Sequence, residues 1–230
     1  MEYSNPLGIP ADRTMVIACA TVMEELQVWL PPAMRRQVLE FGLHHHPGEL
    51  TKALQAAIDQ TADADLILLG YGLCARAVSG LSSPRCTLVV PRVDDCIALF
   101  LGSRAAYLQQ ANQAPGTYYL TKGWIEVGDS PFDEFERMAV RYGEAKATDM
   151  LKLMLEHYTR LAFINTGAYD LERFREYTRR TAERFGLRFE EIAGSPTLVQ
   201  KLVFGPWDDE IVVCPPGERL TDDHFIRWEE

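Results

Sequence analysis

Nothing in this 230-residue sequence approaches the roughly 18–20 apolar residues in a row that a membrane-spanning helix requires. The N-terminal stretch MEYSNPLGIPADRT has no basic segment followed by an apolar one, so no secretory signal is expected and the cytoplasm is the expected compartment. Basic residues are outnumbered, 23 Lys and Arg against 33 Asp and Glu, and the net charge of −10 opposes non-specific attraction to nucleic acid or anionic lipid. The expected partner is a small-molecule substrate, with no nucleic acid and no membrane. Phosphate-binding fingerprints are missing too: the glycines of Gly70-Tyr71-Gly72 continue neither into G-x-G-x-x-G nor into a Walker Lys-Ser/Thr pair. Low-complexity segments, heptads and short repeats are likewise missing. Cysteine is scarce and odd in number, five in all. In a cytoplasmic chain that count speaks for free thiols, metal ligands or redox chemistry rather than a disulfide framework.

What is present is an alternation of short apolar runs and amphipathic segments. Runs at 15–20, 38–43, 66–70, 87–90, 117–120, 161–164, 188–192 and 210–213 have strand length, and the segments between several of them have helical spacing. A helix beginning at Cys96 is expected to run to about Asn112. This rhythm predicts the α/β class, with doubly wound, mostly parallel sheets of Rossmann-like topology. Two lobes fit the length: 1–130, an α/β lobe carrying the cysteines, and 131–230, a smaller α/β lobe. One continuous domain is the alternative.

Three of the runs end in cysteine or in a short loop that carries one: Cys19 after 15–18, Cys74 after Leu66-Ile67-Leu68-Leu69-Gly70, and Cys96 after Thr87-Leu88-Val89-Val90. If the strands are parallel, all three lie beyond carboxyl ends, where open α/β sheets place their ligands. Three thiolates with one exchangeable position describe an open zinc site or the corner of an iron–sulfur cluster. Their spacings, 55 residues from 19 to 74 and 22 from 74 to 96, match no zinc-ribbon pattern, so the inference depends on coincidence in space. Buried cysteine as a small hydrophobe is the bland alternative. Cys86 starts a strand and is expected in the core, while Cys214 ends the last strand and could reach the site from the second lobe.

Asp94 and Asp95 precede Cys96, and one of them is expected to cap its helix. The helix end would then lower the Cys96 thiol pKa, and the other carboxylate is a candidate for ligation or proton transfer. Around 115–124, Tyr118, Tyr119 and Trp124 could wall a flat pocket, with Lys122 or Arg92 near its mouth for an anionic group. Asn165, Thr166 and Gly167 form a strand-to-helix turn suited to an anion contact. His44-His45-His46 looks like a metal tract, but on a strand successive side chains alternate faces. His157 and His224 fall at a helix end and in the tail.

The stretches GYGLC, DDC-I-x-L-F-L-G-S-R and PGTYYLT-x-GW, with TG-x-x-D at 166–170 and W-D-D…V-x-PPGE at 207–218, resemble the family called domain of unknown function 1638 over most of the chain. The resemblance implies Cys19, Cys74, Asp95 and Cys96 as motif residues. It also implies an association with corrinoid-dependent methyltransferase systems of anaerobic one-carbon metabolism, in which a corrinoid protein or methyltransferase would be the partner. After GYGLC this chain has Ala75-Arg76-Ala77 where a glycine-containing continuation is expected. Three readings stay open: a thiolate metal site in an enzyme or accessory protein of methyl transfer, with zinc or an iron–sulfur cluster and a corrinoid through a partner; a non-catalytic protein that holds a metal, cluster or corrinoid; and a metal-free α/β small-molecule binder.

Overall fold

A computed structural model describes residues 3–61, 63–167 and 171–226. The elements in chain order are β1 (Thr14–Cys19), α1 (Ala20–Leu26), β2 (Arg35–Leu39), α2 (Pro47–Gln60), β3 (Leu66–Gly70), β4 (Thr87–Pro91), α3 (Cys96–Leu101), α4 (Arg104–Gln113) and β5 (Thr117–Leu120). There follow α5 (Lys122–Val127), α6 (Pro131–Tyr142), α7 (Glu144–Met154), β6 (Arg160–Asn165), α8 (Glu172–Phe185), β7 (Arg188–Ala193), α9 (Thr197–Phe204) and β8 (Ile211–Cys214). The class is α/β, doubly wound, with mostly parallel sheets. No helix among the described residues is long and apolar enough to cross a membrane.

The chain divides into two compact units, Met1–Tyr107 with Ser195–Glu230, and Leu108–Gly194. This division is not the sequential one expected at residue 130. The last helix and strand belong to the first unit, and the second unit is an insertion in it. The physical reason lies in α9, whose Leu198, Val199, Leu202 and Val203 are each at most 2% exposed. So apolar a helix needs a large surface to cover, and it packs on β3 and β4.

The first unit's sheet has the order β2-β1-β3-β4-β8, in which only β8 runs antiparallel. Every residue of β3 and β4 is buried, as parallel strands covered on both faces require. One face carries α2, whose Leu50, Leu54 and Ile58 join Ile17, Ile67, Leu69, Leu88 and Val90 in one core. Full burial of each such side chain contributes about 1.5–3 kcal/mol. The other face carries α1 and α9. Because the chain steps from β1 outward to β2 and then back to β3 on the opposite side, β1 and β3 flank a topological switch point, where the crevice at the carboxyl ends receives ligands in such sheets.

The second unit has a parallel sheet of order β5-β6-β7. The single helix expected from Cys96 is instead two, broken at Gly102, which takes a left-handed φ of 87° and whose missing Cβ would lie 2.5 Å from Ser195 Cβ. The chain enters the second unit along α4, and none of the residues of α4 is buried.

Candidate functional site

The carboxyl edge of β1, β3 and β4 is assembled from three short loops. Cys19 ends β1 and sits at the N-cap position of α1, with its Sγ 3.2 Å from the hydroxyl of buried Thr21. Thr21 lies inside the helix, which starts at Ala20, so its hydroxyl serves this contact rather than a helix cap. After β3, the glycines allow close approach. A Cβ on Gly70 would lie 2.7 Å from Ala18 Cβ and 2.9 Å from Leu26 Cδ1, so only glycine admits α1 at that height. A Cβ on Gly72 would lie 2.8 Å from the Val93 carbonyl oxygen and 2.9 Å from the Asp95 nitrogen. The two loops are joined there by backbone bonds, Leu73 N–H to Val93 O and Cys74 N–H to Asp94 O, each 2.8 Å. This pairing carries Cys74 alongside the Asp94-Asp95 peptide.

Asp95 is the residue that caps α3: its Oδ1 accepts from Ile97 N–H at 2.9 Å, and Cys96 is the first residue of the helix. Asp94 is exposed, with its carboxylate 3.6 Å from Arg104 Nε. From Cys74 the chain makes three successive left-handed residues, Cys74, Ala75 and Arg76, with φ of 47°, 54° and 72°. Non-glycine residues in that region cost roughly 1–2 kcal/mol each. The glycine expected after GYGLC would be free of that cost. The turn is held by Ala77 N–H to Cys74 O at 3.1 Å and by an ion pair from exposed Arg76 to Asp222.

All three loop cysteines are partly exposed, whereas Cys86 and Cys214 are each 1% exposed. Cys86 donates to Ala64 O at 3.1 Å before β4 begins, as expected of a core thiol. Cys214 pairs with Leu88 at the amino end of β4 and lies in the first unit, so it does not approach the site from a second lobe. Among the described residues, Cys19, Cys74 and Cys96 do not form a set whose three sulfurs all lie within 4.8 Å of one another.

A family model described as a protein of unknown function, DUF1638, matches residues 38–203. The chain belongs to that family. The matched residues include Cys74, Asp95 and Cys96 and stop short of Cys19. No curated protein and no solved structure matches the chain.

In this DUF1638 chain the electrostatics of the three loops are shared. Burial pushes the Cys74 thiol up to about 12, with Cys19 and Asp95 adding to the rise and a Gly72 backbone hydrogen bond opposing it. Burial also raises Cys96 well above the ordinary thiol value, followed by Cys19, Cys74 and Asp95. The expected lowering of Cys96 by its helix is therefore overturned, since desolvation of the thiolate and like-charged neighbours outweigh it. Burial raises Asp95 as well, opposed by the Ile97 N–H and reinforced by Asp94.

Tyr71, which the sequence reading passed over, belongs with them. It is 4% exposed, its hydroxyl has no hydrogen-bond partner, and its ionisation is disfavoured by burial first and then by Cys19, Cys74 and Cys96. The signal available in the sequence was a phenol placed directly after a wholly apolar strand. Arg92 follows β4, donates its N–H to Glu210 O at 2.7 Å and has a buried Nε with no partner.

The remaining candidates lie in the second unit. Tyr118 packs edge-on against Phe132 and Tyr158, with ring centroids 5.5 and 5.4 Å away, so its ring serves that unit's core rather than a pocket wall. Lys122 pairs with Glu126 at 2.8 Å, and Trp124 N–H donates to Thr121 Oγ1 at 3.4 Å at the start of α5. Asn165 Oδ1 accepts from Gly167 N–H at 2.9 Å across Thr166, a local turn, while its Nδ2 donates to Glu191 at 2.7 Å. Asp170 of the TG-x-x-D motif lies outside the described residues. His44 and His45 end a 3-10 turn rather than a strand, and both are exposed.

Proposed function

We propose that Cys19, Cys74 and Cys96 hold a thiophilic metal centre at the carboxyl edge of the first sheet, in a cytoplasmic enzyme or accessory protein of one-carbon methyl transfer. The observation that carries this reading is the convergence of three partly exposed cysteines, from three separate strand ends, at the β1/β3 switch point. The donor set fits a thiophilic ion. A single tetrahedral zinc with bonds of about 2.3 Å needs sulfurs about 3.8 Å apart. The wider spacing here favours an iron–sulfur cluster, whose thiolates bind different irons. A centre with an open position would supply Lewis acidity toward a bound thiol or oxygen group.

The chain's own residues have distinct tasks in this reading. The Thr21 hydroxyl lies 3.2 Å from the Cys19 sulfur and, with that sulfur a ligating thiolate, donates to it and orients it. The left-handed turn at 74–76 aims Cys74, and Asp95 fixes the start of α3 and with it Cys96. Asp95 also stands ready to accept a proton as a thiol is ligated. A corrinoid protein or methyltransferase as partner belongs to the same proposal and rests on what the family resemblance implies.

The decisive experiment is anaerobic purification with elemental analysis and absorption spectroscopy, beside a Cys19→Ala, Cys74→Ala, Cys96→Ala variant that is folded by circular dichroism. Near-stoichiometric zinc, or iron with sulfide, in the parent and none in the variant is the expected result. No metal in the parent after reconstitution with either would overturn the reading. A second reading, a metal-free α/β small-molecule binder, is favoured by the burial that keeps Cys74 and Cys96 protonated.

A further inference from the structure

Tyr71 stands between two glycines that each touch a neighbouring cysteine loop. A Cβ on Gly70 would lie 2.7 Å from the Cβ of Ala18, the residue before Cys19. A Cβ on Gly72 would lie 2.9 Å from the nitrogen of Asp95, the residue before Cys96. Cys74 follows in the same loop as Tyr71. The phenol itself is 4% exposed and belongs to the core under α2, against which Cys19 and Cys74 pack. Burial disfavours its ionisation most, and the charges of Cys19, Cys74 and Cys96 add to that effect. Backbone placement, packing and electrostatics all set this side chain among the three sulfurs.

The hydroxyl is nevertheless bonded to none of them. Tyr71 Oη is buried and has no hydrogen-bond partner. Native structures leave few buried polar atoms unpaired, so an orphaned hydroxyl calls for an acceptor. A thiol is a weak acceptor, and three protonated cysteines do not answer that need. Ligation by a metal expels their protons, and a charged acceptor makes a hydrogen bond roughly twice as strong as a neutral one. Loading the centre therefore creates the acceptor that the metal-free fold lacks.

We propose that Tyr71 is a positioning residue of the thiolate centre, its hydroxyl donating a hydrogen bond to a sulfur of the loaded centre and so tying metal retention to the loop after β3. This rests on the thiolate-site reading. Partners of this kind hold metal ligands in orientation, and at an iron centre a donor to sulfur stabilises the more negative, reduced state. The hydroxyl thus acts in opposite directions in the two states: unpaired, it weakens the metal-free fold, and paired, it strengthens the loaded one.

The test compares the parent with Tyr71→Phe, both as full chains, metal-free and after anaerobic reconstitution with zinc or with iron and sulfide. Metal-free Tyr71→Phe should melt at or above the metal-free parent, because it loses a hydroxyl that nothing satisfies. Loaded Tyr71→Phe should melt below the loaded parent. Competition with a chelator should show the variant binding metal about 10–100-fold more weakly. With iron in the centre, redox titration should give the variant a lower midpoint potential. A hydroxyl that served only the fold would lower both melting temperatures alike and leave affinity and potential unmoved, and that result would overturn the proposal. So would a variant that equals the parent in metal affinity. In either case a parent that takes up metal keeps its thiolate site and Tyr71 alone is removed from it, whereas a parent that takes up no metal overturns both.

Discussion

Gly72 lies so close to Val93 that a Cβ on the glycine would be 2.8 Å from the valine's carbonyl oxygen and 2.9 Å from its Cγ2. The first contact is to backbone, as is a further one of 2.9 Å to the Asp95 nitrogen, so rotation of the Val93 side chain relieves neither of these two. Gly72→Ala must therefore part the two loops that carry Cys74 and Asp95-Cys96. Forcing extra volume into such a contact costs about 1–3 kcal/mol. The urea midpoint should fall accordingly, and metal uptake should fall with it, because the separation of the cysteines is set by this contact. A variant with parent-like stability and metal content would show that the loops can part freely.

The left-handed turn predicts a change of opposite sign. Ala75, at φ 54°, pays for a conformation that glycine adopts without strain. Ala75→Gly also gives the unfolded chain more freedom, worth about 0.4–1 kcal/mol against folding. Relief of roughly 1–2 kcal/mol exceeds that, so the variant should be more stable by about 0.5–1 kcal/mol. Thermal unfolding of parent and variant in the same buffer measures it. A lower melting temperature would mean that the turn is not left-handed in solution.

The three cysteine-bearing strand ends were legible in the sequence because strands buried on both faces are written as unbroken apolar runs, and Leu66-Ile67-Leu68-Leu69 and Leu88-Val89-Val90 are such runs. Capping at Asp95 was legible for the same local reason. What was not legible depends on register and on distant segments. Nothing in Ile211-Val212-Val213-Cys214 tells which sheet it joins, and its antiparallel place beside β4 moves Cys214 to the opposite edge from Cys19. The break at Gly102 was signalled by the glycine, but the reason for it, the approach of Ser195, comes from a residue far along the chain.

The thiols predict a distinctive pH dependence. Cys74 has its pKa pushed up to about 12 by burial, so at neutral pH it is protonated and resists iodoacetamide. Its labelling in metal-free protein should climb through pH 9 without levelling and keep rising toward 12, read by mass spectrometry of the Cys74 peptide. The sign for stability follows from tighter proton binding in the fold: this contribution is complete below the unfolded value near 9 and is lost as pH rises toward 12. Metal ligation must expel the same proton, so metal uptake should strengthen as pH is raised from 6 to 8. A labelling rate that levels off near pH 8 or below would contradict the raised thiol pKa.

Arg160 offers a test in the second unit. It is 2% exposed, and its guanidinium donates to Thr117 Oγ1 at 2.6 Å, to Glu190 at 3.0 Å and to Gln110 at 3.1 Å. Thr117 in turn donates to Ala114 O at 2.6 Å, so the hydroxyl joins the buried charge to the loop before β5. Thr117→Val leaves the Nε donor of a buried cation unsatisfied, and a hydrogen bond to a charged group is worth about 1.5–3 kcal/mol. Arg160→Met removes the cation itself and puts an apolar chain of similar length in its place, a change that is often much milder than breaking one contact of a buried charge. With both substitutions, the loss at Thr117 should largely vanish, since the donor it served is gone. A double-mutant cycle by urea denaturation measures the coupling. Strictly additive losses would mean that Thr117 acts through the Ala114 carbonyl and not through Arg160.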